Sequence, residues 1–474
     1  MTDDQTYFNS EEFRQILKRY EESVQQGHSI YMEADDLADI ADYYQYHGRK
    51  EDADCAINLA LNYNPEAVGP LLYKAREALS IKDFDTAREY AAHVEAVDQQ
   101  EALYLQGEIL ICEEKDDEAD ALFRQQMKDI MPDEWADYVY DVANIFSDYN
   151  IYDKAFEWMA RSQGDESDDF KELMARTLFG LGKYQDSERI FNELIDHDPY
   201  SIRYWNALAS AQFMNEDYHS AITSSEYAIA IDPNDAESLL SKANSLYSLG
   251  NYESALTYFQ RYSEIVADDE FGFLHQGTCL INLERFSEAV QVLERAEQLA
   301  GSESPYLPEI CQELAFAYSE LHKPETALYY IDLTQDMDCD HVNMEIIRGH
   351  ILLANQKPEE AEEAFKDALQ LSDNSPRTML RIIVSLYDNR YVHTSYILLK
   401  NFFQHVEENW ADGYSYMALC CLDLKKTDEF LHYLKMATER NPKEAKTVLS
   451  NYFPNDMAPQ DYYAYMSKQM KTEK

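Results

Sequence analysis

Between Ile202 and Glu297 apolar residues recur at steps of three and four, the period of an amphipathic helix, in segments of about three and a half turns. Short polar breaks such as Met214-Asn215-Glu216-Asp217 and Leu249-Gly250-Asn251 join the segments in pairs. Each pair therefore predicts a helical hairpin. Small residues recur on the same faces: Ala221, Ala255 and Ala289 stand 34 apart, as do Ala209, Ala243 and Gly277. Tyr218, Tyr252 and Phe286 follow the same step, and so do Pro199 and Pro233. Small side chains at fixed points mark where paired backbones approach closely, and Trp205, Leu208, Leu239, Leu246, Phe259 and Leu293 fill the space between. The proline ends the second helix, because it has no N–H to continue the ladder. A fixed period of this length predicts an array in which each hairpin covers its neighbour's apolar face.

The small position of the second helix can be followed through Ala53, Ala87, Ala119, Ala155, Ser187, Ala221, Ala255, Ala289, Ala327, Ala361, Ser395 and Phe430. Successive spacings are 34, 32, 36, 32, 34, 34, 34, 38, 34, 34 and 35. The first-helix position keeps a constant offset of 12, from Ala41 to Ala418, so irregularities fall between hairpins. This register predicts twelve units over residues 34–444. Ile383, Ser395 and Phe430 make the last two units depart most. Residues 1–8 read as a polar tail, followed by a capping helix from Asn9 or Ser10 through Val24 and ended by Gly27. Two further capping helices are expected over 444–452 and 460–470, around Pro454 and Pro459. Gly301-Ser302-Glu303-Ser304-Pro305 is a breaker-rich link and a candidate hinge, and Gly164 to Asp169 is an acidic one.

Trp205, Leu208, Ala209, Tyr218, Ala221, Ala228 and Pro233 fall on the signature positions of the tetratricopeptide repeat (TPR), which this chain resembles over most of its length. The resemblance implies an all-α fold: a right-handed superhelical solenoid of hairpins with N- and C-terminal capping helices. The expected organisation is tail and cap over 1–33, units one to eight over 34–307, units nine to twelve over 308–444, and caps over 445–474. It also implies a bacterial-type cytoplasmic scaffold that binds a protein or extended peptide in its concave groove.

Composition narrows the partner. With 40 basic and 90 acidic residues the formal charge is −50. A phosphate backbone or an anionic membrane is repelled by such a surface, which argues against nucleic acid and membranes as partners. A basic segment would be steered in; the bland alternative is that the acids only keep a long rod in solution. Seven cysteines without Cys-x-x-Cys spacing argue against disulfides and structural zinc. No apolar run reaches the ~18 residues that spanning a membrane requires, and no leader-like segment opens the chain, so a cytoplasmic location is expected.

Chemistry-bearing motifs are weak. Gly180-Leu181-Gly182-Lys183-Tyr184 resembles the end of a phosphate loop, but Thr177 and Tyr184 stand where a glycine and a Ser/Thr are needed. Asp165, Ser167 and Asp169 lack the glycine and the final acid of a calcium loop. His341 and His350 are not one turn apart, no nucleophile elbow occurs, and no cysteine has an evident histidine partner. No catalytic residue, metal or cofactor is expected.

In the resembled family the first helices line the groove. Carried onto this chain, its early part holds Asp35, Asp39, Asp42, Arg76, Glu101, Tyr104, Glu108, Asp137, Tyr140, Asp141, Asn144 and Asp148. Arg176, Arg203, Asn206, Phe213, Asn244 and Tyr247 follow, then Phe271, His275, Phe316, His350, Arg377, Arg381 and Tyr387. Members that grip C-terminal carboxylates use a basic residue and asparagines on adjacent first helices. Asn206 and Asn244 fit, but the lysine is missing and Ser241 replaces the paired asparagine. Part of the 37 tyrosines falls in this groove, where a rigid ring with a polar tip suits peptide contact. The expected function is a non-enzymatic scaffold for a basic protein segment. The alternatives are a regulatory or peptide-sensing subunit and a chaperone-associated co-factor.

Overall fold

A computed structural model describes residues 8, 10–26, 31–131, 134–162, 167–454 and 457–472. Asn9, Gly27 and residues 164–166 of the acidic link lie outside them. Among the described residues all regular structure is helical, with 27 α-helices and two 3-10 segments. The fold is all-α, as the periodicity requires. The chain forms two compact units, Met1–Ile231 and Asp232–Lys474.

The first unit opens with α1 (Glu11–Gln26), capped by Ser10, whose Oγ accepts from the Phe13 amide at 3.1 Å. Phe13 and Tyr20 are buried against the first hairpin, and Phe8 packs on Phe13 with ring centroids 4.9 Å apart. Phe8 thus belongs to the cap and not to a polar tail. Six hairpins follow. They are α2 (Ala34–Tyr46) with α3 (Lys50–Tyr63), α4 (Val68–Ser80) with α5 (Phe84–Glu95), and α6 (Gln99–Cys112) with α7 (Asp116–Gln126). Then come α8 (Trp135–Asp148) with α9 (Tyr152–Met159), α10 (Asp168–Gly180) with α11 (Tyr184–His197), and α12 (Ile202–Met214) with α13 (Tyr218–Ile231).

The second unit holds another six. They are α14 (Ala236–Ser248) with α15 (Tyr252–Ile265), α16 (Glu270–Asn282) with α17 (Phe286–Leu299), and α18 (Leu307–Glu320) with α19 (Pro324–Leu333). Then come α20 (His341–Ala354) with α21 (Pro358–Leu371), α22 (Pro376–Asp388) with α23 (Val392–His405), and α24 (Tyr414–Asp423) with α25 (Thr427–Arg440). Pro442 opens the capping helix α26 (Pro442–Leu449) at its first turn, where the missing N–H costs nothing, and Asn441 caps it. Helix α27 (Pro459–Thr472) lays Tyr462 flat on Phe453 at 3.7 Å, closing the core of the last hairpin.

Every hairpin turns in the same way. One residue takes a left-handed conformation, from Gly48 and Lys82 through Lys425. The next residue's amide bonds back to the carbonyl five positions earlier, as in Asp217 to Gln212 (2.9 Å) and Asn251 to Leu246 (2.9 Å). This closes the first helix and starts the second without exposing orphan carbonyls. The small positions are fully buried at Ala41, Ala75, Ala209, Ala243, Ala221, Ala255 and Ala289. Where serine replaces alanine, its hydroxyl bonds across the hairpin. Ser187 Oγ donates to the Ala175 carbonyl (2.8 Å) and Ser395 Oγ to the Ile383 carbonyl (3.3 Å), each 12 residues earlier. The link at 301–305 lies inside the second unit, where Ser304 Oγ donates to Glu270 (2.8 Å) and Tyr306 packs on Phe271.

Candidate partner-binding faces

In the first unit the groove positions follow the small residue of each first helix by fixed offsets, so adjacent first helices bring them together. The residue just after the small one is Arg76 on α4, Glu108 on α6, Asn144 on α8 and Arg176 on α10. Across neighbouring helices these pair. Arg76 donates to Glu108 through Nη2 (2.8 Å) and Nε (3.1 Å), and Tyr149 Oη adds a third donor at 3.0 Å. Arg176 donates to Asn144 (2.8 Å) and Asp148 (3.0 Å), and Arg203 pairs with Glu172. These are charge-assisted braces between repeats. Glu108 is only 3% exposed and Asn206 likewise 3%, so both belong to the packing between hairpins and present little surface to a ligand.

A second set remains acidic. Tyr104 (6% exposed) accepts from Gln100 and donates to Asp141 at 2.8 Å. Burial raises the Asp141 carboxyl above the usual range, the Tyr104 bond opposes this, and the charge of Asp137 adds to it. Glu101 is also raised, by burial first, with Arg76 opposing and Asp98, Asp141 and Glu108 adding. Among the described residues no salt bridge reaches Glu101, Asp137 or Asp141. Asp35, Asp42 and Asp137 are exposed, and Asp39 and Tyr140 half-buried, extending this face along α2 and α8. The structure thus separates acids braced by arginine, such as Glu108 and Asp148, from Glu101 and Asp141, which no described salt bridge reaches.

The face of the second unit differs in chemistry. Asn244 and Tyr247 on α14 are half-buried, and Asn282 Nδ2 donates to Tyr247 Oη at 3.4 Å. His275 lies between Phe259 (5.3 Å) and Phe271 (4.1 Å), and burial pushes its pKa down to about 4, so it is neutral. On α18 burial pushes the Glu313 carboxyl up to about 7; Gln312 opposes by hydrogen bonding and Glu309 adds to the rise. Asn343 donates to Gln312 and accepts from Arg381. His350 is also held neutral by burial, with Ser385 Oγ and Asn389 Nδ2 each 3.1 Å from Nδ1. Sequence reasoning placed His275 and His350 here but missed Glu309, Gln312 and Glu313. Their signal was available, since Glu313 stands two before Ala315 as Asp141 stands two before Ala143.

Among the described residues neither face pairs an activated nucleophile with a base. Cys339 Sγ lies 3.8 Å from His341 Nδ1, a contact the spacing had not suggested, but burial raises the thiol and keeps it protonated. Among the described residues no group of three or more His, Cys, Asp or Glu could hold a metal, and no helix is long and apolar enough to cross a membrane.

Comparison with family models agrees with the hairpin geometry. Two family models described as tetratricopeptide repeat match residues 173–236 and 346–375. A third, described as anaphase-promoting complex, cyclosome, subunit 3, matches 214–296. The Protein STIP1 homolog of Dictyostelium discoideum is 26% identical over 128 residues, covering 27% of this chain. The match spans only 22% of that protein's length. The crystal structure of yeast Tom70 is 13% identical and aligns over 92% of this chain and 96% of its own, with a TM-score of 0.43. MamA from Desulfovibrio magneticus RS-1 is 16% identical over 37% of this chain and 99% of its own, with a TM-score of 0.34. The chain contains tetratricopeptide repeats within residues 173–236 and 346–375. Repeats of this class serve protein–protein interaction.

Proposed function

We propose that the protein is a non-enzymatic interaction scaffold whose first-helix face in the first unit takes a lysine- or arginine-bearing segment of a partner protein. The observation that carries this is the state of Glu101 and Asp141. Both carboxyls are partly desolvated and held above their usual range beside other acids, while Arg76, Arg176 and Arg203 are already committed to Glu108, Asp148 and Glu172. A partner's cation placed there relieves the like-charge repulsion and gains charge-assisted hydrogen bonds. A wall of one sign also speeds encounter, and the gain falls as salt rises, because the Debye length shortens from ~10 Å at 0.1 M to ~3 Å at 1 M.

The test is selection of a randomised 12-residue peptide display library on the immobilised full chain. The expected result is enrichment of lysine and arginine, lost with Glu101→Lys/Asp141→Lys and retained with reversals at exposed second-helix acids such as Glu89. Selection with no basic bias, or one that survives the double reversal, refutes the proposal.

A further inference from the structure

The second helices α15 and α17 each run 14 residues. Helix α19 stops after 10, at Leu333, and passes into the 3-10 turn Thr334–Asp336. A cleft of about 480 Å³ opens between α19, this turn, α20 and α21. The volume lies in the range of built ligand pockets, about 300–1,000 Å³. Its floor is apolar: Ile331, Met344, Leu352 and Ala364 are buried there.

The rim is charged, and its charges sort into used and unused. Arg348 is the basic residue of the lining, and it is already held by Asp332 (2.7 Å) and Glu345 (3.3 Å). Glu360 pairs with Lys357 at 3.2 Å. Glu363 and Asp367, one turn apart on α21, form no salt bridge among the described residues. The cleft also lies away from the first-helix face. At ~100° per residue, His341, Glu345, Arg348 and Leu352 project from the side of α20 opposite to Asn343 and His350. A phosphate-bearing ligand would be repelled, since Arg348 is shared by Asp332 and Glu345, Lys357 is held by Glu360, and Glu363 and Asp367 add two further carboxylates.

We propose that this cleft is a second docking site, which receives a lysine or arginine side chain from a partner protein. The aliphatic stem lies on Ile331, Met344 and Leu352, and the cation sits at Glu363 and Asp367. Long basic side chains suit such a site because stem and head can be satisfied at once. The cleft supplies the room, and charge complementarity selects the occupant. The site does not rest on the first-helix reading of the first unit.

The experiment uses the full chain with isotope-labelled Ile and Met methyl groups. The probe is acetyl-Gly-Arg-Gly-amide, and its citrulline counterpart is the uncharged control of nearly the same shape. The expected result is a saturable shift of the Ile331 and Met344 methyl signals with the arginine peptide and none with citrulline. Glu363→Gln/Asp367→Asn should weaken the apparent affinity at least fivefold, with Asp367→Asn alone intermediate. Glu101→Gln/Asp141→Asn should leave these shifts unchanged. The proposal is overturned by unmoved Ile331 and Met344 signals, by an equal response to citrulline, or by full affinity in the Glu363/Asp367 variant. Loss of the shifts in the Glu101/Asp141 variant would overturn it too. Because Glu363 and Asp367 are exposed, unchanged methyl signals elsewhere verify that each variant is folded.

Discussion

Replacing Gly107 by alanine separates two physical arguments by the sign of the outcome. Gly107 lies within α6, and on helix propensity alone the change should stabilise by up to about 1 kcal/mol. The packing says otherwise. An added Cβ would stand 2.0 Å from Phe123 Cζ and 2.8 Å from both Cε atoms. Phe123 is fully buried and held edge-on by Phe146 (5.8 Å) and Trp158 (6.4 Å), so it has nowhere to retreat. Overpacking of this kind costs about 1–3 kcal/mol, which outweighs the propensity gain. A stack of repeats does not unfold in one step. The assay is therefore hydrogen exchange by mass spectrometry on peptides from α6 and α7. Net of the propensity gain the cost reaches about 2 kcal/mol, so at about tenfold per 1.4 kcal/mol exchange there should accelerate by up to roughly 25-fold. Phe123→Leu in the Gly107→Ala background should recover part of the loss. Gly301→Ala, where an added Cβ meets nothing within 4 Å, should change nothing locally. Slower exchange in Gly107→Ala would refute the packing argument.

Arg76→Met should destabilise the α4–α6 contact by about 2 kcal/mol, below the 3–5 of a fully buried pair because Arg76 is half exposed and Tyr149 still donates to Glu108. Local exchange at α4 and α6 measures this, against Lys366→Met opposite the exposed Glu362, which should leave its own helix unchanged; equal effects would contradict it. Glu313 has its carboxyl raised from 4.5 to about 7 in the folded chain, so folding binds its proton more tightly. Its stabilising contribution is full below pH 4.5 and is lost as pH rises through about 7, roughly 3 kcal/mol in all. Melting of the second unit should show that decline, and Glu313→Gln should flatten it; an unaltered slope in the variant rules the assignment out. Limited proteolysis should cut first in the exposed Gly301–Glu303 stretch. An early cut within the turn Met214–Asp217, with the link intact, would remove the case for a hinge.

The helical array was legible because its signal is redundant. Each hairpin repeats the same small residues at a 12-residue offset, so single departures such as Ile383 or Ser395 do not break the register. The turns were legible in place but not in chemistry: glycine marks them at 48, 182 and 250, yet Lys82, Glu216 and Arg390 adopt the same left-handed backbone. The turn bond back to the first helix and the hairpin packing impose that conformation on any side chain, so composition does not report it. The first-helix positions expected to line a groove were legible in the sequence, but the pairing of their charges was not. Arg76 and Glu108 are 32 residues apart, and only the stacking of α4 on α6 shows that each satisfies the other. Tyrosines read as ligand contacts turn out in two cases to tie repeats together, as Tyr104 does to Asp141 and Tyr387 to Asp423. The cleft beside α19 was hidden for a different reason, since it is formed between three helices and a turn and no residue type announces that.

A basic partner segment lying across α6 and α8 of the first unit should leave a footprint in the backbone amides beneath it. Hydrogen exchange of the full chain, with and without a peptide from the display selection, reads that footprint. Exchange should slow at α4, α6 and α8, with protection that weakens as salt rises and is absent in Glu101→Lys/Asp141→Lys. Protection confined to the second helices α5, α7 and α9, or unaffected by salt and by the double reversal, would contradict an acidic first-helix binding face.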